Sequence, residues 1–239
     1  MMSRMKIAKW MFAFACTIVA GCGFSLAGDG YGLYKNAVEE VSLEEKVAKI
    51  RSQENFTSIE ELPETYVQAV ISVEDHRFYE HGALDPIAIG RALVNDLKAG
   101  RYVEGGSTIT QQLAKNLYFS QEKTMNRKAA EVFLAFELEQ KYTKDEILEL
   151  YVNSIYFGDG YYSIGEASEG YFGKTASQMN DYEATLLAGV PNAPSRYAPS
   201  KNLALAEKRQ QKVISRMEAC GYITEEETTL MAAQLVALY

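Results

Sequence analysis

The chain has 239 residues, 47% of them hydrophobic and 23% charged, which excludes a disordered protein and suffices for one domain with a sizeable core. Five prolines and the lack of any repeat period exclude linker-rich and solenoid architectures. A net charge of −8 argues against a nucleic-acid partner, so any anionic ligand must be held by a local cluster of cations.

Residues 1–9 form a basic segment carrying Arg4, Lys6 and Lys9, and residues 10–28 are uncharged. The uncharged stretch is just long enough to span a bilayer, and the preceding cations orient it with the N-terminus in the cytoplasm. Two other readings fit the same residues. Met11 to Ala20 could be the apolar centre of a cleaved signal peptide, and Val19-Ala20-Gly21-Cys22 resembles a bacterial lipoprotein cleavage box. All three export the downstream domain, and the uncleaved single-pass anchor is the preferred reading. Cys16 and Cys22 lie in this stretch, which leaves Cys220 alone downstream and excludes a disulfide framework or a multi-cysteine zinc site.

Residues 29–60 are mixed and charged and read as a juxtamembrane connector, with residues 61–239 as the main domain. There the pattern is helical almost throughout, so the expected fold class is mainly α. Asp85-Pro86 is a cap followed by proline at the first helical position, with Gly100 after the last turn. Ser107 is placed to cap a helix to about Tyr118; Thr143 with Glu146 and Thr224 with Glu227 form capping boxes, and Gly221 follows a helix over residues 204–220.

Three clusters carry chemistry. Glu74-Asp75-His76-Arg77-Phe78-Tyr79-Glu80-His81 comes directly after the apolar run from Tyr66 to Val73. As a plain helix end it would be solvated; abutting an apolar run, Glu74 is also placed for half-burial and a raised pKa, as general acid–base work requires. Next, Gly105-Gly106 precedes a helix with a polar stripe of Ser107, Gln111 and Lys115 opposite an apolar stripe of Ile109, Leu113 and Leu117. The glycines allow close backbone approach, and free N–H groups at the helix start could receive an anion. Third, Glu131 stands in the otherwise apolar run from Ala129 to Phe136, where a carboxylate needs a partner; Arg127 four residues earlier offers an ion pair. Between positions 115 and 128, Lys115, Lys123, Arg127 and Lys128 face only Glu122, a local positive patch suited to a phosphate-bearing group.

In order, Glu74-Asp75 with Phe78 and His81, Gly106-Ser107-Thr108-Ile109-Thr110-Gln111-Gln112 with Lys115-Asn116, and Arg127-Lys128 with Glu131 resemble the motifs of the peptidoglycan glycosyltransferases, glycosyltransferase family 51. Ile147-Leu148-Glu149 with Tyr151-Val152-Asn153, Tyr171-Phe172-Gly173-Lys174 and Leu187-Ala188-Gly189-Val190-Pro191-Asn192-Ala193-Pro194-Ser195 continue the series. Ala83 and Ser163 stand where glycine is usual, and Val152 and Val190 where leucine is usual.

The resemblance implies a lysozyme-like glycosyltransferase domain, here in a monofunctional form, polymerising lipid II at the outer face of the cytoplasmic membrane. Glu74 would be the general base and Glu131 would organise the neighbouring cations or help hold a divalent ion, Mg²⁺ or Mn²⁺; no compact metal-ligand set is visible. Asp75, Phe78, His81, Ser107, Thr108, Gln111, Gln112, Lys115, Asn116, Lys123, Arg127 and Lys128 would bind substrate. Lys115, Lys123 and Arg127 would neutralise the leaving pyrophosphate. The implied partners are lipid II, the growing glycan chain, the bacterial membrane and cell-wall synthases or transpeptidases. A glycan-cleaving muramidase is the nearest rival, but it has no use for the cationic stretch. An inactive lipid II-binding scaffold would not need Glu74, Lys115 and Glu131 together. Ser3-Arg4-Met5-Lys6 and Ser120-Gln121-Glu122-Lys123 match the first transpeptidase pattern, but Lys-Thr-Gly is absent.

Overall fold

The computed structural model describes residues 25–101, 105–120, 122 and 124–237. The basic segment, most of the expected span and Lys123 lie outside the described residues. Among the described residues no helix is long and apolar enough to cross a membrane.

Helix α1 covers residues 25–40. Then come α2 (Leu43–Arg51), α3 (Glu64–Glu74), α4 (Pro86–Ala99), α5 (Ile109–Tyr118), α6 (Met125–Lys141), α7 (Lys144–Val152), α8 (Ile164–Phe172), α9 (Asp181–Gly189), α10 (Pro194–Tyr197), α11 (Leu203–Ala219) and α12 (Glu225–Ala237). The only strand-like pairing among the described residues is an isolated bridge between Gly158 and Tyr161. The domain is mainly α.

Local signals explain most helix ends. The Asp85 carboxylate accepts from the Ile87 and Ala88 amides, and Gly100 closes α4 at φ 63°. Thr143 with Glu146 and Thr224 with Glu227 form the expected capping boxes. Gly221 takes φ 78° just beyond α11. The start of α5 differs from expectation by one residue. Thr108 is its cap, boxed with Gln111, because Ser107 is engaged by Lys128.

Two packed groups frame the domain: α3 lies against α9 and α11, and α5 lies against α6 and α7. Tyr66, Ala69, Val70 and Ile71 of α3, Ile109, Leu113 and Leu117 of α5, and Leu134 and Leu138 of α6 meet in one core. The stretch expected to be a connector belongs to this body. Leu43, Val47 and Ile50 of α2 are buried in the core, so its packed part begins well before residue 61. Helix α1 runs along α6, where Gly30 sits so close to Ala129 that a Cβ could not be accommodated. Beside that crossing, Tyr31 meets Phe133 edge-on with ring centroids 5.3 Å apart, and the Tyr34 hydroxyl donates to Glu137 at 2.7 Å.

The departures from the family pattern have local accounts. The Ser163 hydroxyl caps α8 by accepting from Glu166 N. Ala83 is buried and its carbonyl accepts from Thr108 Oγ1 at 2.9 Å. Val152 and Val190 are packed in the core.

Candidate active site

Glu74 is the last residue of α3, since Asp75 leaves the helix with extended backbone. Its carboxylate is half-buried at the negative end of the helix dipole. Gln112 Nε2 donates to Glu74 Oε2 at 2.9 Å. Burial pushes the Glu74 carboxyl above the ordinary carboxylate range; Gln112 and the charges of Arg209 and Lys115 work against the rise, and Asp75 adds to it. Such a group can exchange a proton near neutral pH.

On one side of Glu74 opens a cleft of about 970 Å³, lined by residues of α3, α4 and α11. Lys208, Arg209, Lys212 and Arg216 project into it from α11, and none of the four forms an ion pair among the described residues. Arg91 and His76 line the facing side, with Arg91 Nη1 and His76 Nε2 3.3 Å apart. Burial and Arg91 lower the His76 pKa. Sequence reasoning missed this α11 wall. Its signal was present as cations at positions 208, 212 and 216, one helical face at i, i+4 and i+8.

A second group of cations, outside the cleft lining, comes from α5 and α6, and the charge of Lys115 reaches Glu74. Lys128 Nζ bonds both Ser107 Oγ and Glu131 Oε2 at 2.8 Å. Arg127 Nη1 reaches the Ser120 carbonyl at 3.0 Å and lies 3.3 Å from Glu131 Oε1. Glu131 is buried, and both its Oε1 and Arg127 Nε lack a hydrogen-bond partner among the described residues. The Lys115 ammonium makes no hydrogen bond or ion pair among them. Burial lowers its pKa, with opposition first from Glu131, while Arg127 and Lys128 add to the lowering. A partly desolvated ammonium without a protein counter-ion is primed for an anionic ligand.

The structure gives several expected site residues other duties. Asp75 is buried; its carboxylate accepts from Ile109 N at 3.0 Å and meets His81 Nε2 at 2.8 Å. The other His81 nitrogen faces the Gly82 carbonyl. Phe78 is fully buried beneath Lys144, whose Nζ lies 4.4 Å from the ring centroid. Thr108 and Gln111 are spent on capping α5. These five polar and aromatic groups hold the junction of α3, α4 and α5. Two of the amides at the helix start are already taken, that of Ile109 by Asp75 and that of Gln111 by Thr108. Gly106 serves close packing against Ile89 of α4. The Asn116 side chain is half-buried beside Lys115 with no hydrogen-bond partner among the described residues.

Among the described residues, two places are candidates as oxygen or nitrogen donors to a metal, one a cluster and one a single carboxylate. Asp75, His81 and Asp85 bring their ligand atoms within 4.8 Å of one another. Their lone pairs are already engaged, Asp85 by Arg77 and two amides, so this cluster does not fit a cation. Glu131 Oε1 is the better donor: it makes no hydrogen bond, and a cation there would share the carboxylate with Arg127, whose Nη1 lies 3.3 Å away. One carboxylate plus substrate phosphates is a common environment for Mg²⁺.

A family model described as Transglycosylase matches residues 42–218. The chain belongs to the transglycosylase family. The match begins at the cap of α2, in keeping with that helix's place in the core. Penicillin-binding protein 1A/1B of Bacillus subtilis (strain 168) is 46% identical over 184 residues, 76% of this chain and 20% of its own length. Penicillin-binding protein 1A of Escherichia coli (strain K12) is 40% identical over 244 residues, 93% of this chain and 28% of its own. A crystal structure of penicillin-binding protein 1A from Haemophilus influenzae aligns with 52% of this chain and 15% of its own at 29% identity and a TM-score of 0.35. The chain therefore spans less than a third of these curated relatives.

The raised Glu74 pKa has a consequence for stability. A carboxyl whose folded pKa lies above its unfolded value weakens the fold once pH rises through that window, and has no such effect below the unfolded value. Glu74→Gln should therefore raise the melting temperature at pH 7 and leave it unchanged near pH 3. Thermal unfolding of both proteins at the two pH values checks this; a lower melting temperature for the variant at pH 7 would contradict the assignment.

Proposed function

We propose that the protein polymerises lipid II into linear glycan strands on a lysozyme-like α-helical domain. The observation that carries this reading is a raised-pKa carboxylate under the influence of two separate cation groups, the unpaired α11 cations of the cleft and Lys115 beside the Glu131-paired Arg127 and Lys128. A transfer between two lipid-linked sugars brings two pyrophosphates to one reacting centre, so it needs two cationic seats around one base. A muramidase has no pyrophosphate to hold and needs neither seat.

In the proposed reaction Glu74 takes the proton from the GlcNAc 4-hydroxyl of the acceptor lipid II. That oxygen bonds to C1 of the terminal MurNAc of the growing chain as the bond from C1 to the phosphate oxygen breaks. The electron pair leaves with undecaprenyl pyrophosphate, and the anomeric centre inverts from α to β. Lys115, Arg127 and Lys128 would hold the donor pyrophosphate, and Lys208, Arg209, Lys212 and Arg216 that of the acceptor. Such seats stabilise charge as it develops on the leaving group, so no strong acid is required. A divalent cation, Mg²⁺ or Mn²⁺, would bind at Glu131 Oε1 and supply further neutralisation of the pyrophosphate.

Ile87, Ile89, Leu93, Val94 and Leu97 of α4 are exposed, while Arg91 and Asn95 of the same helix line the cleft. That arrangement supports an apolar face of α4 seated in the outer leaflet of the cytoplasmic membrane, beside the cleft that receives a polyprenyl substrate. We read residues 10–28 as the single-pass anchor of this domain. Cell-wall synthases and transpeptidases are its proposed partners.

Incubation with lipid II and Mg²⁺ should yield a ladder of glycan polymer that Glu74→Gln abolishes; binding without polymer, or cleavage of preformed glycan, would overturn the reading. Lys115→Ala should weaken binding of a donor-side lipid pyrophosphate by about 10-fold or more, from the loss of a charge-assisted contact. Unchanged affinity would remove the pyrophosphate from that seat. In proteoliposomes, the emission added by Leu97→Trp should be quenched by brominated acyl chains, and unquenched emission would place α4 in water.

A further inference from the structure

Helix α7 carries one of the motifs of the sequence, and most of its polar residues have a structural purpose. Asn153 accepts from Thr57 N and donates to the Thr57 carbonyl, while Glu149 accepts from Ile59 N. Those bonds fasten the segment before α3. Tyr151 is different. It is fully buried, and phenylalanine would fill the same space, so packing accounts for the ring but not for the hydroxyl. The hydroxyl donates to Gln112 Oε1 at 3.2 Å. The other end of that amide, Nε2, donates to Glu74 Oε2.

We propose that Tyr151 is a positioning residue for the general base: by donating to Gln112 Oε1 it fixes which end of the amide faces Glu74, and so keeps an N–H aimed at the carboxylate. The proposal rests on the reading of Glu74 as the base. An amide side chain is nearly symmetric in shape, and only its partners decide its polarity. Turned over, Gln112 would set its oxygen against a carboxylate oxygen, an arrangement compatible only with a protonated Glu74. The phenol donating from behind favours the orientation that serves the ionised base and polarises the amide further toward it. Tyr151 remains a donor throughout, since burial pushes its own pKa well above the usual range.

Other charges also act on Glu74. Arg209 from α11 and Lys115 from α5 favour its ionised form, and Asp75 opposes it. Burial and the charge of Glu74 both keep the Tyr66 hydroxyl of α3 protonated. His76, Arg91, Lys208, Lys212 and Arg216 line the same cleft. The acidic residues of α9 bond elsewhere, Asp181 to Thr65 at the far end of α3 and Glu183 to Lys174. None of these groups touches the Gln112 oxygen, so the effect of Tyr151 is separable from theirs.

The test is a carbon-13 NMR titration of glutamate side-chain carboxyls in the full-length protein in micelles, with Glu74 assigned by its loss in Glu74→Gln. Tyr151→Phe should raise the Glu74 midpoint by about 0.5 pH unit, the scale of one neutral hydrogen bond. Gln112→Leu should raise it at least as far, and the double variant no further than Gln112→Leu alone. An unchanged or lowered midpoint in Tyr151→Phe, or additive shifts in the double variant, would overturn the proposal. The titration needs no lipid substrate, so it is independent of the polymerisation assay. A normal shift with no glycan made would strike the assignment of Glu74 as base and leave the positioning by Tyr151 standing.

Discussion

A carboxylate at the C-terminal end of an apolar helix is in an expensive place, taken partly out of water and facing the negative end of the helix dipole. At Glu74 the fold accepts that cost and contains it. Gln112 contributes one hydrogen bond, and cations on α5 and α11 provide compensating charge at a distance. Because no cation among the described residues forms a direct ion pair with it, the group keeps a raised pKa and can take up a proton. A contact ion pair at Glu74 would have stabilised the fold and removed the base.

The surroundings answer to that requirement. The chain must turn sharply after α3 to leave Glu74 at an open edge, and Asp75 secures the turn by clasping the start of α5 and His81. The clasp fixes α5 relative to α3, which sets the reach of Gln112 and Lys115. Helix α6 then brings Arg127, Lys128 and Glu131 alongside, and Glu131 takes up the charge of the first two while leaving Lys115 unpartnered. Across the cleft, α11 packs on α3 and α9 through Val213 and Met217 and turns its basic face outward. An unpaired Lys115 beside a Lys128 that keeps one N–H after bonding Ser107 and Glu131 distinguishes a ligand seat from an ordinary ion-pair network.

Much of this was legible in the residues. Asp85-Pro86, Thr143 with Glu146, and Gly221 mark helix ends because capping is a local affair, decided within four residues. Glu74 could be singled out because its apolar neighbours are adjacent in sequence. Asp75 was less legible: its polarity suggested a ligand, whereas its partner, the Ile109 amide, lies 34 residues away and only the fold brings it near. The same holds for Gly106, whose need for space comes from Ile89. Helix α2 looked like a tether because its few apolar residues are spaced among charges, yet Leu43, Val47 and Ile50 fall on one face and are buried. The basic stripe of α11 was present at helical spacing, but a charged helix face is ordinarily solvated, and only the cleft beside Glu74 gives it a purpose.

The central claim is that two pyrophosphates are held on opposite sides of one base. It is tested most directly by a crystal structure of the Glu74→Gln protein soaked with a short-chain lipid II analogue. The account predicts one pyrophosphate against Lys115, Arg127 and Lys128 and a second against Lys208, Arg209, Lys212 and Arg216, with residue 74 between them. A single pyrophosphate at saturating analogue, or two on the same side, would contradict it.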